Sequence, residues 1–185
     1  MNIKIFILFI LSFYVVKAQK NTESSIQYLN MNSISLTKNT ESYFKKFSKE
    51  EDRSSQGSSI DINTIHGAVF WDFIALSTGI SVDYNIDESF LSTPVLVDLR
   101  VFSSDDRSNS LFAYLQTGTN IKWSSSFDGN GTTSKLGVGL IFSDGDSGTY
   151  YVDVFKKSKD IELSKHKEKG NYSITAFGLS FGVIF

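Results

Sequence analysis

The chain has 185 residues with 18 Lys and Arg against 20 Asp and Glu, and a formal net charge of −2. That balance implies neither a basic nucleic-acid footprint nor a polybasic membrane patch. With no cysteine and two histidines, the chain has no disulfide framework, no lipid-attachment cysteine and no means of building a Cys/His structural zinc site.

In chain order, the first element reads as a secretory signal peptide over residues 1–18. Lys4 precedes an apolar stretch from Ile5 to Val16, broken only by Ser12 and Tyr14, and Val16-Lys17-Ala18 has small or permitted residues at both cleavage-determining positions. The apolar core is too short to span a bilayer as a helix, and no later segment reaches the roughly 18 residues required. Cleavage would remove Lys4 and Lys17 and no acid, leaving a net charge of −4 on 167 residues, a length suited to one domain.

Residues 19–57 form a polar N-terminal segment rich in Ser, Asn, Lys and Glu, in which Ile34 and Leu36 mark a weak first strand over 32–38, followed by a long polar loop. The remaining strands fall within residues 58–185. Strict alternation predicts them at Ser59–His66, Phe73–Ile86, Val95–Phe102, Leu111–Trp123, Ser134–Phe142, Thr149–Lys156 and Tyr172–Phe185. The second of these is the clearest: Ile74, Leu76, Thr78, Ile80, Val82, Tyr84 and Ile86 share one face, and Ala75, Ser77, Gly79, Ser81, Asp83 and Asn85 the other.

The C-terminal strand puts Phe177, Leu179, Phe181, Val183 and Phe185 on one face. Such an apolar edge is an aggregation hazard in a soluble protein but serves a closed barrel whose last strand pairs with its first. Ser180-Phe181-Gly182-Val183-Ile184-Phe185 partly resembles the C-terminal signal by which bacterial outer-membrane barrels are recognised, so Phe181, Gly182 and Phe185 are the proposed assembly signal. Eight strands, an even number, suit an all-β, closed antiparallel up-and-down transmembrane β-barrel.

Connection lengths agree in part, because alternate connections of such a barrel are short. Lys157–Asn171 reads as a long charged outside loop, Ser143–Gly148 as a tight inside turn and Ser124–Thr133 as an outside loop, whereas Ser103–Ser110 is no shorter than Asp87–Pro94. The minor face of several strands carries small residues, Gly79, Gly118, Gly137, Gly139, Gly178 and Gly182, which suit a crowded barrel interior better than a solvated sheet. Trp71, Tyr84, Phe102, Trp123, Phe142 and Tyr150 fall near strand ends, as interfacial aromatic girdles require.

Thr64-Ile65-His66-Gly67, Leu76-Ser77-Thr78-Gly79-Ile80-Ser81-Val82-Asp83-Tyr84 and Thr93-Pro94-Val95-Leu96-Val97-Asp98-Leu99-Arg100, followed by Phe112-Ala113-Tyr114-Leu115 and Lys135-Leu136-Gly137-Val138-Gly139, resemble small outer-membrane β-barrel proteins of Bacteroidota. The resemblance covers about residues 58–185 and implies a location in the cell outer membrane and a fold rather than an activity. Ser103-Ser104-Asp105-Asp106 departs from the more aromatic connection usual in that family.

Candidate chemistry is sparse. His166 lies near Ser164, Asp160 and Glu162, residue types that serve hydrolysis, but a Lys-rich solvated loop explains them as well. His66 is expected to pack at a strand end. Asp128-Gly129-Asn130-Gly131 and Asp144-Gly145-Asp146 resemble calcium-loop fragments, yet Gly139 and Phe155 stand at the twelfth positions, where an EF-hand needs Glu. Gly137-x-Gly139 lacks the third glycine and helix of a dinucleotide site.

Minor-face charges are more informative: Asp83, Asp98 and Asp153 stand against Arg100, Lys122 and Lys135. Buried charges need partners, so a lumen network joining Asp98 and Arg100 with Lys122 or Lys135 is expected, which would obstruct a general porin. The leading expectation is a non-enzymatic outer-membrane barrel with a packed lumen and a structural or surface-binding role, without cofactor. Its partners would be outer-membrane lipid, the barrel-assembly machinery and an unspecified extracellular ligand. A secreted soluble β-barrel holding a small apolar ligand, and an outer-membrane enzyme using the His166 loop, are the alternatives.

Overall fold

Period-2 alternation carries almost the whole described chain into strands, each paired with its sequence neighbour. The computed structural model describes residues 26–46, 51–54, 57–87, 89–104, 109–121, 130–143, 148–165 and 168–185. These hold β1 (Ile26–Lys46), β2 (Glu51–Ser54), β3 (Ser58–Phe70), β4 (Ile74–Asn85), β5 (Phe90–Ser92), β6 (Pro94–Phe102), β7 (Asn109–Asn120), β8 (Gly131–Ser143), β9 (Thr149–Lys165) and β10 (Glu168–Ile184). The order β10-β9-β8-β7-β6-β4-β3-β1 is antiparallel throughout, and β10 pairs back onto β1. The result is a closed eight-stranded up-and-down barrel, with β2 added beside β1 and β5 beside β4.

The pairing registers set the shape. One ladder runs Leu29, Gly67, Ser77, Asp98, Gln116, Lys135, Lys157, Ala176 and back to β1 at Asn39, ten residues beyond its start. With eight strands, that stagger requires a tilt of about 40°, and a barrel this narrow is filled by its own side chains. Apart from Gly67, which has no side chain, the residues on the ladder point inward, so this single row climbs the inner wall from the end that holds the termini to the opposite rim. A bulge between Asn39 and Glu41 inserts Thr40, whose hydroxyl donates to the Thr175 carbonyl at 3.0 Å.

The end that holds Ile26 and Phe185 has connections of three to six residues between β3 and β4, β6 and β7, and β8 and β9. At one of them the Phe73 amide donates to the Phe70 carbonyl at 3.2 Å, with φ of 52° at Trp71 and 62° at Asp72. That is the two-residue turn whose twist matches a hairpin, here built without glycine. The opposite end is uneven, because β1, β9 and β10 run well past their neighbours.

Three expectations are corrected. The first strand spans Ile26–Lys46 rather than 32–38, and part of the polar stretch after it pairs as β2. Lys157–Asn171 is not a loop: Lys157–Lys165 continues β9 and Glu168–Asn171 begins β10. Its outward residues turn polar where the wall leaves the apolar belt, and the pattern therefore imitated a loop. Phe102 is buried inside the barrel against Phe112 instead of joining a girdle, whereas Trp71, Tyr84 and Phe142 do face outward. Residues 1–18, Lys122, Trp123 and His166 lie outside the described residues.

Four inward glycines share one steric purpose. Gly137, Gly139, Gly178 and Gly182 stand directly opposite Tyr114, Phe112, Phe155 and Tyr151 on the adjacent strand. A Cβ at any of the four would run into the partner's ring. Each ring lies over a bare backbone, the arrangement by which aromatics compensate glycine in a sheet. Gly137→Val is expected to force the Tyr114 ring aside and destabilise the barrel by about 1–3 kcal/mol, read as a lower urea midpoint than wild type.

Candidate functional site: the charged lumen

Strand parity puts Asp61 on β3, Asp83 on β4, Lys135 on β8, and Lys157 and Lys159 on β9 into the upper half of the lumen, all buried. Lys135 Nζ donates to Asp61 Oδ1 at 2.8 Å, and Lys157 Nζ donates to Asp61 Oδ2 at 3.1 Å and also to Asp83 Oδ2. Lys159 Nζ reaches the same Asp83 oxygen at 2.7 Å and donates to the Ser92 hydroxyl. The five charges form one chain, Lys135–Asp61–Lys157–Asp83–Lys159, with Lys157 bridging both carboxylates. Aromatic faces complete the surroundings: Lys135 lies 4.7 Å from the Phe155 ring centre and Lys159 5.3 Å from that of Phe90, which packs edge-on against Tyr172.

A second pair lies nearer the termini. Asp98 and Arg100 are two residues apart on β6 and therefore share the inward face, where Arg100 Nε and Nη2 grip the two Asp98 oxygens at 2.8 and 3.2 Å. Gln116 Nε2 donates to Asp98 Oδ2 at 3.2 Å. The guanidinium lies 4.3 Å from the Tyr114 ring centre and 5.1 Å from that of Phe112. Asp153 accepts the Tyr114 hydroxyl at 2.9 Å. Below this layer, Leu29, Met31, Val69, Ala75, Phe102 and Ile141 fill the barrel with apolar side chains.

Of the sequence-predicted network, Asp98 and Arg100 are brought together. Lys135 is inward but binds Asp61, not Asp98, and Lys122 is outside the described residues. Asp61, Lys157 and Lys159 were missed although their parity was legible: Asp61 shares a face with Ser59 and Asn63, and the two lysines continue the face of Asp153 and Phe155. Phe181 points outward, Gly182 is inward beside Tyr151, and Phe185 is exposed with its amide donating to the Asn30 carbonyl at 2.9 Å. His66 does not pack at a strand end. It lies within β3 on the outer face, its Nδ1 sharing a 2.5 Å hydrogen bond with the Tyr28 hydroxyl.

Among the described residues no group of three or more His, Cys, Asp or Glu could hold a metal ion. The lumen offers paired charges; what it can do chemically is hold strands together across the barrel.

No protein-family model and no curated protein matches the sequence. The likeness found is one of structure. The crystal structure of Neisserial surface protein A is similar over 85% of this chain and 96% of that one, at a TM-score of 0.44 and 10% identity. A likeness so distant transfers neither site nor role, and the barrel described above rests on its own strand pairing.

Because a lysine can replace neither the two-pronged grip on Asp98 nor the stacking on Tyr114, Arg100→Lys is expected to cost about 1–2 kcal/mol. Urea unfolding followed by tryptophan fluorescence should show it, with Lys38→Arg on the exposed outer face of β1 unchanged.

Proposed function

We propose that this chain is an integral outer-membrane β-barrel protein with a filled lumen and a structural or surface-binding role. The observation that carries the reading is the inversion of the two faces. Ile34, Leu36, Ile62, Leu76, Val97, Leu115, Val138, Val154 and Phe181 are all exposed and belong to a belt that reaches round all eight strands, while the buried charges face the lumen. Water would penalise such a belt, because monomeric soluble proteins rarely expose contiguous apolar surface beyond a few hundred Å². Lipid would not, and outward apolar with inward polar is the pattern of a membrane barrel.

The belt also has an upper edge. Outward positions turn polar at Lys38 and Glu41 on β1, Thr117 and Thr119 on β7, Ser134 and Thr132 on β8, Lys156, Ser158 and Asp160 on β9, and Ser173 on β10. Above that edge the long strands would stand clear of the bilayer as a polar wall available to an extracellular ligand.

Ion pairs that cross the lumen from β3 and β4 to β8 and β9, over an apolar lower layer, argue against a general porin. They argue equally against an interior site for a small apolar ligand. The reading assigns no catalysis and no cofactor; its partners are outer-membrane lipid and the barrel-assembly machinery.

The test is fractionation of the full chain expressed in a Gram-negative host, followed by electrophoresis with and without boiling. Outer-membrane recovery with heat-modifiable migration is the expected result. Recovery in the soluble fraction without detergent would overturn it.

A further inference from the structure

Among the described residues, the lower part of the apolar belt, below the level of Thr117, Ser134 and Lys156, is interrupted on β1, β3 and β4. On the outer face of β1, β3 and β4, Asn30, His66 and Thr78 follow one another along a single pairing row, and Asn32 stands opposite Thr64 in the next. His66 and Thr78 are exposed, and Asn30, Asn32 and Thr64 are half-buried. The patch lies within the belt, with Ile34, Ile62 and Ile80 above it and Tyr28, Ala68 and Leu76 below. The walls of β6 and the lower parts of β7 and β8 show no counterpart: Val95, Val97, Leu99 and Val101, then Leu111, Ala113 and Leu115, then Leu136, Val138 and Leu140, face outward there.

Some of the patch's hydrogen-bonding capacity is used internally. Asn32 Nδ2 donates to Asn30 Oδ1 at 2.8 Å, and His66 bonds the Tyr28 hydroxyl through Nδ1 and Thr64 Oγ1 at 3.3 Å through Nε2. A primary amide offers two donors and two acceptor lone pairs, so one mutual bond leaves both asparagines with capacity that hydrocarbon cannot meet.

We propose that this patch on β1, β3 and β4 is a self-association surface, and that a second copy of the chain covers it in the membrane. The choice of occupant rests on its chemistry. No Lys, Arg, Asp or Glu stands among the five positions, and amide and hydroxyl groups each both donate and accept. The patch can therefore pair with its own image across a two-fold axis without like charges meeting, as an isologous interface requires. Short side chains at Asn30, Asn32, Thr64 and Ala68 let two walls approach closely, and hydrogen bonds between polar groups help bind protein to protein in lipid. The inference rests on the membrane reading above.

The absence of native cysteine makes the test direct. Thr64→Cys and, on the opposite wall, Leu136→Cys are expressed as full chains, and the outer membranes are mildly oxidised and run on a non-reducing gel. Thr64→Cys is expected to give a disulfide-linked dimer, at least tenfold more than Leu136→Cys. Adding Asn30→Leu and Asn32→Leu to Thr64→Cys should reduce that dimer severalfold while the barrel stays heat-modifiable. Equal yields from both walls, no dimer from a heat-modifiable Thr64→Cys barrel, or a cross-link to a different protein would each overturn self-association and leave the membrane reading standing. Failure of the wild-type chain to fractionate with outer membrane would overturn both.

Discussion

Lys157→Leu is expected to cost about 3–5 kcal/mol, the cost of stranding a buried charge by removing its partner. The ammonium contacts both Asp61 and Asp83, which among the described residues otherwise pair with Lys135 and Lys159 alone. Without it, two buried carboxylates face each other with one cation each, and leucine supplies no donor. Lys157→Leu with Asp83→Asn removes one charge of each sign and should recover part of the loss, since residues in one network couple by up to about 3 kcal/mol. Lys156→Leu is the control. It is the adjacent residue on β9 but faces outward, and such a surface change is expected to stay within about 0.5 kcal/mol. Urea midpoints of refolded protein in detergent decide the matter. Equal midpoints for Lys157→Leu and Lys156→Leu would mean that the upper lumen is hydrated and the lysine solvated.

That pair of neighbours also shows where the sequence was legible and where it was not. Alternation placed β4 and β6 to within about a residue because their outward faces are apolar almost throughout, Ile74, Leu76, Ile80 and Val82 on β4 and Val95, Val97, Leu99 and Val101 on β6, while Ser77, Ser81 and Asp83, and Asp98 and Arg100, mark the inward ones. It failed at the upper ends of β9 and β10, where Lys156, Ser158 and Asp160 on the outside meet Lys157 and Lys159 on the inside and the alternation becomes polar on polar. Hydrophobic contrast depends on one face touching lipid or core, and a wall that leaves the belt with a charged lumen has neither. β1 was hidden for the same reason, because Asn30 and Asn32 lower its outward contrast and Ser33, Ser35 and Thr37 line its inner face. The site was half legible: Asp98 and Arg100 could be paired from parity on one strand, whereas the bond from Lys135 to Asp61 spans 74 residues and crosses the lumen, and only the stagger of the closed sheet decides such a contact.

Phe181→Arg is expected to prevent accumulation of the assembled barrel. Phe181 is exposed on β10 between Leu179 and Val183, its ring stacked 6.2 Å from Tyr150, and it pairs in register with Ile34 on the strand that closes the sheet. By strand position it stands near the middle of the apolar belt, where a lipid-facing Arg costs about 2–4 kcal/mol and cannot easily reach an interface. The same seam joins β10 to β1, the strands farthest apart in sequence, so the cost falls on the pairing that closes the barrel. Phe177→Arg, two outward positions nearer the polar upper edge, should be milder because the guanidinium can extend toward water. A graded loss in heat-modifiable protein, severe for Phe181→Arg and slight for Phe177→Arg, would place the belt in the bilayer at the depth inferred from its side chains. Identical, near-normal levels of both variants would mean that this face never meets hydrocarbon.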